Sequence, residues 1–167
     1  MPEIAGIALE AADVSPAEKH LVFHQELILT QTTLANYEGM QARLDMTAFV
    51  DYLIQNIYTC TGDWPHNNWI AARERSTSGK FRFFSWDVEG GFGAFGLTVT
   101  SNNFVAQPQN NGTPGTQSSL LTTTPASDSI STAPRVLYTL LRDSAEFRLL
   151  FADRIQKHFF NGGALTA

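Results

Sequence analysis

Two carboxylates and an amide frame the chemistry this sequence could perform. In TGDWPHNNW, residues 61–69, Asp63 precedes Asn68 in the pattern D-x-x-x-x-N, and Asp87 follows 24 residues after Asp63, just ahead of a run of glycines. Phosphoryl transfer calls for such a set. One carboxylate takes the proton of the attacking hydroxyl, while a second carboxylate and an amide oxygen hold magnesium on nucleotide phosphates. Two carboxylates about 4 Å apart repel by about 1–4 kcal/mol, depending on local screening, and a bound divalent cation removes that cost. The spacing recurs by chance in many chains, and the plainer reading gives Asp63 to an Asx-turn and Asp87 to a loop cap. His66 adds a third possibility, in which Asp63, His66, Asp87 and Glu89 form the mixed shell of a metal-dependent hydrolase.

The other reactive side chains point elsewhere. His20, His24 and His158 fall on helical patterns and read as partly buried interface residues. Cys60, the single cysteine, has no His–Asp pair at a fixed spacing and reads as a small buried residue. GFGAFG at 91–96 fits G-x-G-x-x-G in form, but a dinucleotide fingerprint opens a helix and here LTVT follows. A hinge after Asp87 is the simpler reading.

The elements that must position these groups can be read from spacing. SPAE at 15–18 is a helix start, with Ser15 as cap and Pro16 at the first helical position, and the pattern runs to about Thr32. A short helix is expected over Leu34–Leu44. Asp45 then caps a third, in which Phe49, Leu53 and Ile57 share one face and which Gly62 closes. NWIAARE and KFRFFSWDV, joined by STSG, read as a hairpin. RVLYTLLRD and SAEFRLLFADRIQKHFF read as helices, the second placing Phe147, Leu150, Phe151, Ile155 and Phe159 on one face. The fold class is therefore α+β, mainly helical, with a small β-hairpin carrying Asp87. The chain divides into a helical lead-in at 1–44, a loop and hairpin at 45–100, a polar tract at 101–134 and helices at 135–163. The tract is rich in Ser, Thr, Asn, Gln, Gly and Pro, and such a composition buries too little to offset its ordering entropy, so it is expected to be mobile.

Composition narrows the partners. One domain's worth of chain, 167 residues with 43% hydrophobic, suffices for a core. A net charge of −5 argues against a nucleic-acid or anionic-membrane surface and asks for cations wherever polyphosphate is bound. No apolar run is long enough to span a bilayer, and the acidic N-terminal residues do not resemble a signal peptide.

LDMTAFVDYLIQNIYTCTGDWPHNNWIAARERSTSGKFRFFSWDVEGGFG resembles the catalytic core of the CotH kinase family, atypical protein kinases named from a bacterial spore coat protein. RVLYTLLRDSAEFRLLFADRIQKHFFNGG resembles the helical stretch that follows it there. DWPHNNW, FRFFSWDVE and FADRIQKHFFNGGALT are specific in combination, and together the two runs cover most of residues 45–163. The resemblance implies the C-lobe-like part of a kinase fold, with ATP as co-substrate, Mg2+ as cofactor and Ser or Thr of a protein as acceptor. It places the catalytic acid at Asp63, the metal-binding acid at Asp87 with Asn68 and Glu89 beside it, and the nucleotide against Phe81 and Trp64. Phe81 stands where tryptophan is usual in the family. A cell-surface, secreted or spore-coat setting also follows from the resemblance alone.

The residues before 45 read as helix rather than as the strand-rich N-terminal lobe of a kinase, so the chain reads as a catalytic half. Its cleft is accordingly expected to expose aromatic surface, with Phe81, Phe83, Trp64 and Trp69 as the candidates, and to hold ATP weakly. A non-catalytic structural or binding fragment, or a metal-dependent hydrolase, are the alternatives.

Overall fold

The computed structural model describes residues 37–62, 64–65, 68–94 and 133–166. The expected helix from Ser15 to Thr32, the hinge beyond residue 94 and nearly all of the polar tract lie outside the described residues. Within them the protein is α+β: helices α1 (Tyr37–Gln41), α2 (Met46–Thr59), α3 (Ala133–Leu141) and α4 (Ala145–Phe159), with strands β1 (Trp69–Ala72) and β2 (Arg82–Ser85) between α2 and α3.

Helix α2 forms where the sequence asks for it. Asp45 sits in extended backbone ahead of the helix and its carboxylate accepts the Ala48 N–H at 3.0 Å, which satisfies one of the helix's open donors. Phe49, Val50, Leu53 and Ile54 are buried, and Ile57 packs at the edge of the same core. Fully burying each such side chain contributes about 1.5–3 kcal/mol. The helix ends at Thr59, three residues before Gly62. Cys60 takes the left-handed conformation at φ 49°, and its N–H serves the last carbonyls. Cys60 is buried, as its composition suggests, but the capping geometry falls on it rather than on a glycine.

β1 and β2 pair antiparallel, with Trp69 opposite Ser85 and Ala72 opposite Arg82. The paired ladder is shorter than the two apolar runs, so residues 73–81 form a longer connection than the expected STSG turn. Within it Gly79 is obligatory. A Cβ there would stand 2.2 Å from the Glu74 carbonyl oxygen, a backbone atom that cannot step aside. The sheet gains one further contact: Phe81 N–H donates to the Arg43 carbonyl at 2.7 Å and Asp45 N–H to the Phe81 carbonyl at 3.0 Å. The carboxylate of Asp45 meanwhile accepts from Nε and Nη2 of Arg82 at 2.8 and 2.7 Å. One acidic residue thus fixes the start of α2 against the start of β2.

The inner face of the hairpin packs on α2. Phe83 lies 5.2 Å from Phe49 and 5.4 Å from Tyr52 between ring centroids, with Trp69 at 5.6 Å on its other side. Asn56, fully buried, donates to the Ser85 hydroxyl at 3.0 Å and ties the end of β2 to the same helix.

Helices α3 and α4 close the core from the opposite end of the chain. Ser144 caps α4 by accepting the Phe147 N–H, and Phe147 is buried with Leu137 and Leu141. Leu150, Phe151 and Phe159 are partly buried against that core, whereas Ile155, expected with them, is exposed. Helix α4 is joined to α2 by an edge-to-face pair, Tyr58 with Phe159 at 5.2 Å between ring centroids, and by a polar clamp. Arg154 and His158 both converge on Asp51, His158 Nε2 at 2.9 Å and Arg154 Nε at 2.6 Å from Oδ1, with Arg154 Nη2 on Oδ2. Burial pushes the Asp51 carboxyl up, but the hydrogen bonds from Arg154 and then His158 outweigh it and hold the pKa below the ordinary value. His158 is therefore a partly buried interface residue, as its position on the helix suggests.

Candidate active site

The two acid-bearing segments meet through backbone. Gly62, immediately before Asp63, donates its N–H to the carbonyl of Gly90 at 3.1 Å, three residues beyond Asp87. Phe92 N–H donates to the Thr59 carbonyl at 2.6 Å. The glycine-rich segment after Asp87 is therefore laid against the end of α2 as far as Phe92, where a free hinge was expected.

Asn68 completes the junction from the other side. Its Nδ2 donates to the Gly62 carbonyl at 3.0 Å, and its own carbonyl accepts from the N–H of Trp86 at 3.2 Å. The neighbour of Asp63 and the neighbour of Asp87 are thus both bonded to one asparagine, which is buried and held in the left-handed region at φ 57°. Asp87 is exposed, also left-handed at φ 56°, and opens the 3-10 turn Val88–Gly90. Glu89 is exposed on that turn. Among the described residues, four of the five non-glycine residues with positive φ are Cys60, Asn68, Asp87 and Phe92, all in the segments around this junction. Such backbone costs about 1–3 kcal/mol per residue, and it persists where the surroundings over-determine it, most often at functional sites. Asp63, His66 and Asn67 lie outside the described residues.

Among the described residues no group of three or more His, Cys, Asp or Glu gathers as a metal shell. Asp87, Glu89 and the amide oxygen of Asn68 are hard oxygen donors. Such donors suit magnesium, which keeps several waters, takes phosphate oxygens and needs only one or two carboxylates from the protein. The chemistry of these three oxygens is compatible with magnesium on a nucleotide.

The two residues expected against the nucleotide are placed differently from that expectation. Trp64 is 0% exposed, its indole N–H donating to the Tyr52 hydroxyl at 2.5 Å with the rings edge to face. Burial in turn pushes the Tyr52 hydroxyl pKa well up. Trp64 is a core anchor with no ring face open to a base. Phe81 is 8% exposed, and the Arg73 guanidinium sits 5.1 Å from its ring centroid, so adenine could stack there only if Arg73 lifted away.

The expected aromatic surface exists but is made of other residues. Phe81 and Phe83 are buried, Trp69 is half-buried, and Trp64 is fully buried. On and just beyond β2 the exposed rings are Phe84, Trp86 and Phe92, at 50%, 62% and 70%, and elsewhere among the described residues Tyr58 and Phe160 are exposed as well. Strand parity accounts for this. Positions 81, 83 and 85 share the inner face of β2, while 82, 84 and 86 share the outer one. The signal was in the sequence as the alternation of KFRFFSWD, but aromatics at both parities hid which set faced the core.

The sequence matches the family model described as CotH kinase protein over residues 12–161. The match begins well ahead of residue 45, so the similarity takes in much of the stretch read from the sequence as a helical lead-in. No curated protein and no solved structure matches the chain.

Proposed function

The chain belongs to the CotH kinase family, and we propose that it transfers the terminal phosphoryl group of Mg-ATP to a serine or threonine hydroxyl of a protein. The observation that carries this reading is the junction at Asn68, whose side chain and backbone bond the residues next to Asp63 and Asp87. A base and a metal-binding acid must be held at a fixed separation for in-line transfer, and the catalysis is mostly positioning and electrostatics.

In this reading Asp63 accepts the proton of the substrate hydroxyl as its oxygen bonds to the γ-phosphorus and the bond to the bridging β–γ oxygen breaks. Asp87, with the amide oxygen of Asn68 and with Glu89, would hold magnesium. The metal, when bound, neutralises charge on the phosphates and on the leaving diphosphate. In support, Asp87 is an exposed residue at the start of the turn, and its neighbour Trp86 is bonded to the buried Asn68. A cation at this point also offsets the repulsion between two carboxylates in a chain of net charge −5.

Calorimetric titration with ATP, with and without magnesium, tests the assignment. The protein should bind ATP only when magnesium is present, and Asp87→Ala should abolish that binding; an alanine at φ 56° also lowers the melting temperature, so affinity is measured well below it. Magnesium-independent binding, or undiminished affinity in the variant, would overturn the metal-binding role of Asp87. No helix of the described residues is long and apolar enough to cross a membrane.

A further inference from the structure

The chain is acidic overall, yet four of its 11 Lys and Arg residues lie within the ten positions 73–82: Arg73, Arg75, Lys80 and Arg82, with Glu74 the one acid among them. They occupy the connection at the tip of the hairpin and the start of β2. A shallow cleft of about 490 Å³ opens there, lined by Arg73, Lys80, Arg82, Glu74 and Phe84 among others. Part of its charge is already committed, since Arg82 is bonded to Asp45 and the Arg73 guanidinium lies over Phe81. Lys80 is exposed at the cleft, and Arg75 is exposed on the same connection. Along the outer face from the cleft, Ile70 and Phe84 stand directly opposite each other across the ladder, 46% and 50% exposed. A solvated sheet face is ordinarily polar. This one presents cations at its tip and apolar side chains along its strands.

We propose that this outer face docks an acidic segment of the protein substrate, its carboxylates against the cations of the hairpin tip and an apolar side chain against Ile70 and Phe84. The proposal rests on the phosphoryl-transfer reading for the identity of its partner. Charge complementarity selects the occupant, because a local excess of cations on an acidic protein attracts anionic segments and repels cationic ones. The cluster lies at the hairpin tip and the start of β2, whereas Asp87 follows the other end of that strand, which separates the cations from the acid along the chain.

Fluorescence polarisation tests the face directly, with a short fluorescein-labelled peptide of Glu residues around a central Phe, and the same peptide with Lys for Glu as control. The acidic peptide should bind the full chain, weaken as salt is raised, and lose about tenfold in affinity when Arg75→Glu and Lys80→Glu are combined. The Lys peptide should not bind. Equal binding of the two peptides, no binding of either, or an affinity indifferent to salt and to the paired substitution would overturn the proposal. Concentration-dependent dimerisation abolished by that substitution, without peptide binding, would overturn it in favour of a second copy of the chain. The readout is binding rather than turnover, and the paired substitution should leave magnesium-dependent ATP affinity unchanged. Failure of the docking face and failure of the kinase reading are therefore seen separately.

Discussion

The segments that carry the two acids are held by opposite means. Around Asp63 the anchor is a side chain: Trp64 is fully buried among Tyr52 and its neighbours on α2. Around Asp87 the side chains point outward, Trp86, Val88 and Phe92 being exposed, and the segment is held by backbone bonds to Gly62, Asn68 and Thr59. Packing anchors depend on volume and shape, whereas backbone anchors depend on dihedral angles and hardly on which side chains are present. The first region should be sensitive to truncation and the second to changes in backbone freedom.

The largest effect that would sharpen this comparison belongs to Asp63. Asp63→Ala should leave magnesium-dependent ATP binding intact and slow transfer by about 10²–10⁴, the range of a general base. Steady-state turnover alongside calorimetric affinity checks it, and a parallel loss of binding would make Asp63 a metal ligand instead. Next comes Trp64→Ala, which should destabilise the fold by about 3–5 kcal/mol in urea unfolding, as large-to-small core changes do. Trp86→Ala, the matching truncation beside the other acid, should stay within about 0.5 kcal/mol. Equal costs for the two would break the contrast.

Asn68 belongs to both regions and should show an intermediate effect. Asn68→Ala should cost about 1–3 kcal/mol, because it removes the bond to Gly62 and leaves an alanine at positive φ. Asn68→Gly should recover part of that loss in the same unfolding assay, since glycine adopts φ 57° without strain. Neither variant should recover full magnesium-dependent ATP affinity, because both lack the amide oxygen.

A last effect is electrostatic and remote from the acids. The Asp51 pKa is depressed in the folded protein, so its contribution is present above the unfolded carboxylate value of about 3.9 and is lost as pH falls through the folded value. Asp51→Asn should therefore lower the melting temperature at neutral pH, and the difference from the parent protein should begin to shrink only below about pH 4 and vanish once pH has passed the lower folded value. A difference that persists undiminished in acid would assign the loss to packing.

Local features of the fold were legible in the sequence. The Asp45 cap, the apolar face of α2, the hairpin and the helices α3 and α4 each depend on neighbours within a few residues, and each appears close to its expected place. Three features were not legible, for different reasons. The left-handed cap falls on Cys60, which no residue preference announces. The face of the hairpin depended on register, and aromatics at both parities concealed it. The clamp of Arg154 and His158 on Asp51 joins groups 103 and 107 positions apart, and no local pattern records such a pairing. At the candidate site, residue types suggested the acids, but the role of Asn68 as the piece joining their segments required its bonds in three dimensions.

Gly79 carries a last consequence. Its absent side chain lets the connection fold back against the Glu74 carbonyl, and that fold sets how far Lys80 and Arg82 stand from Arg73. The spacing of the positive charges is therefore governed by an uncharged residue. A relative could keep every lysine and arginine of the hairpin and still lose the arrangement through one substitution at this glycine, a change that a comparison of charges alone would not register.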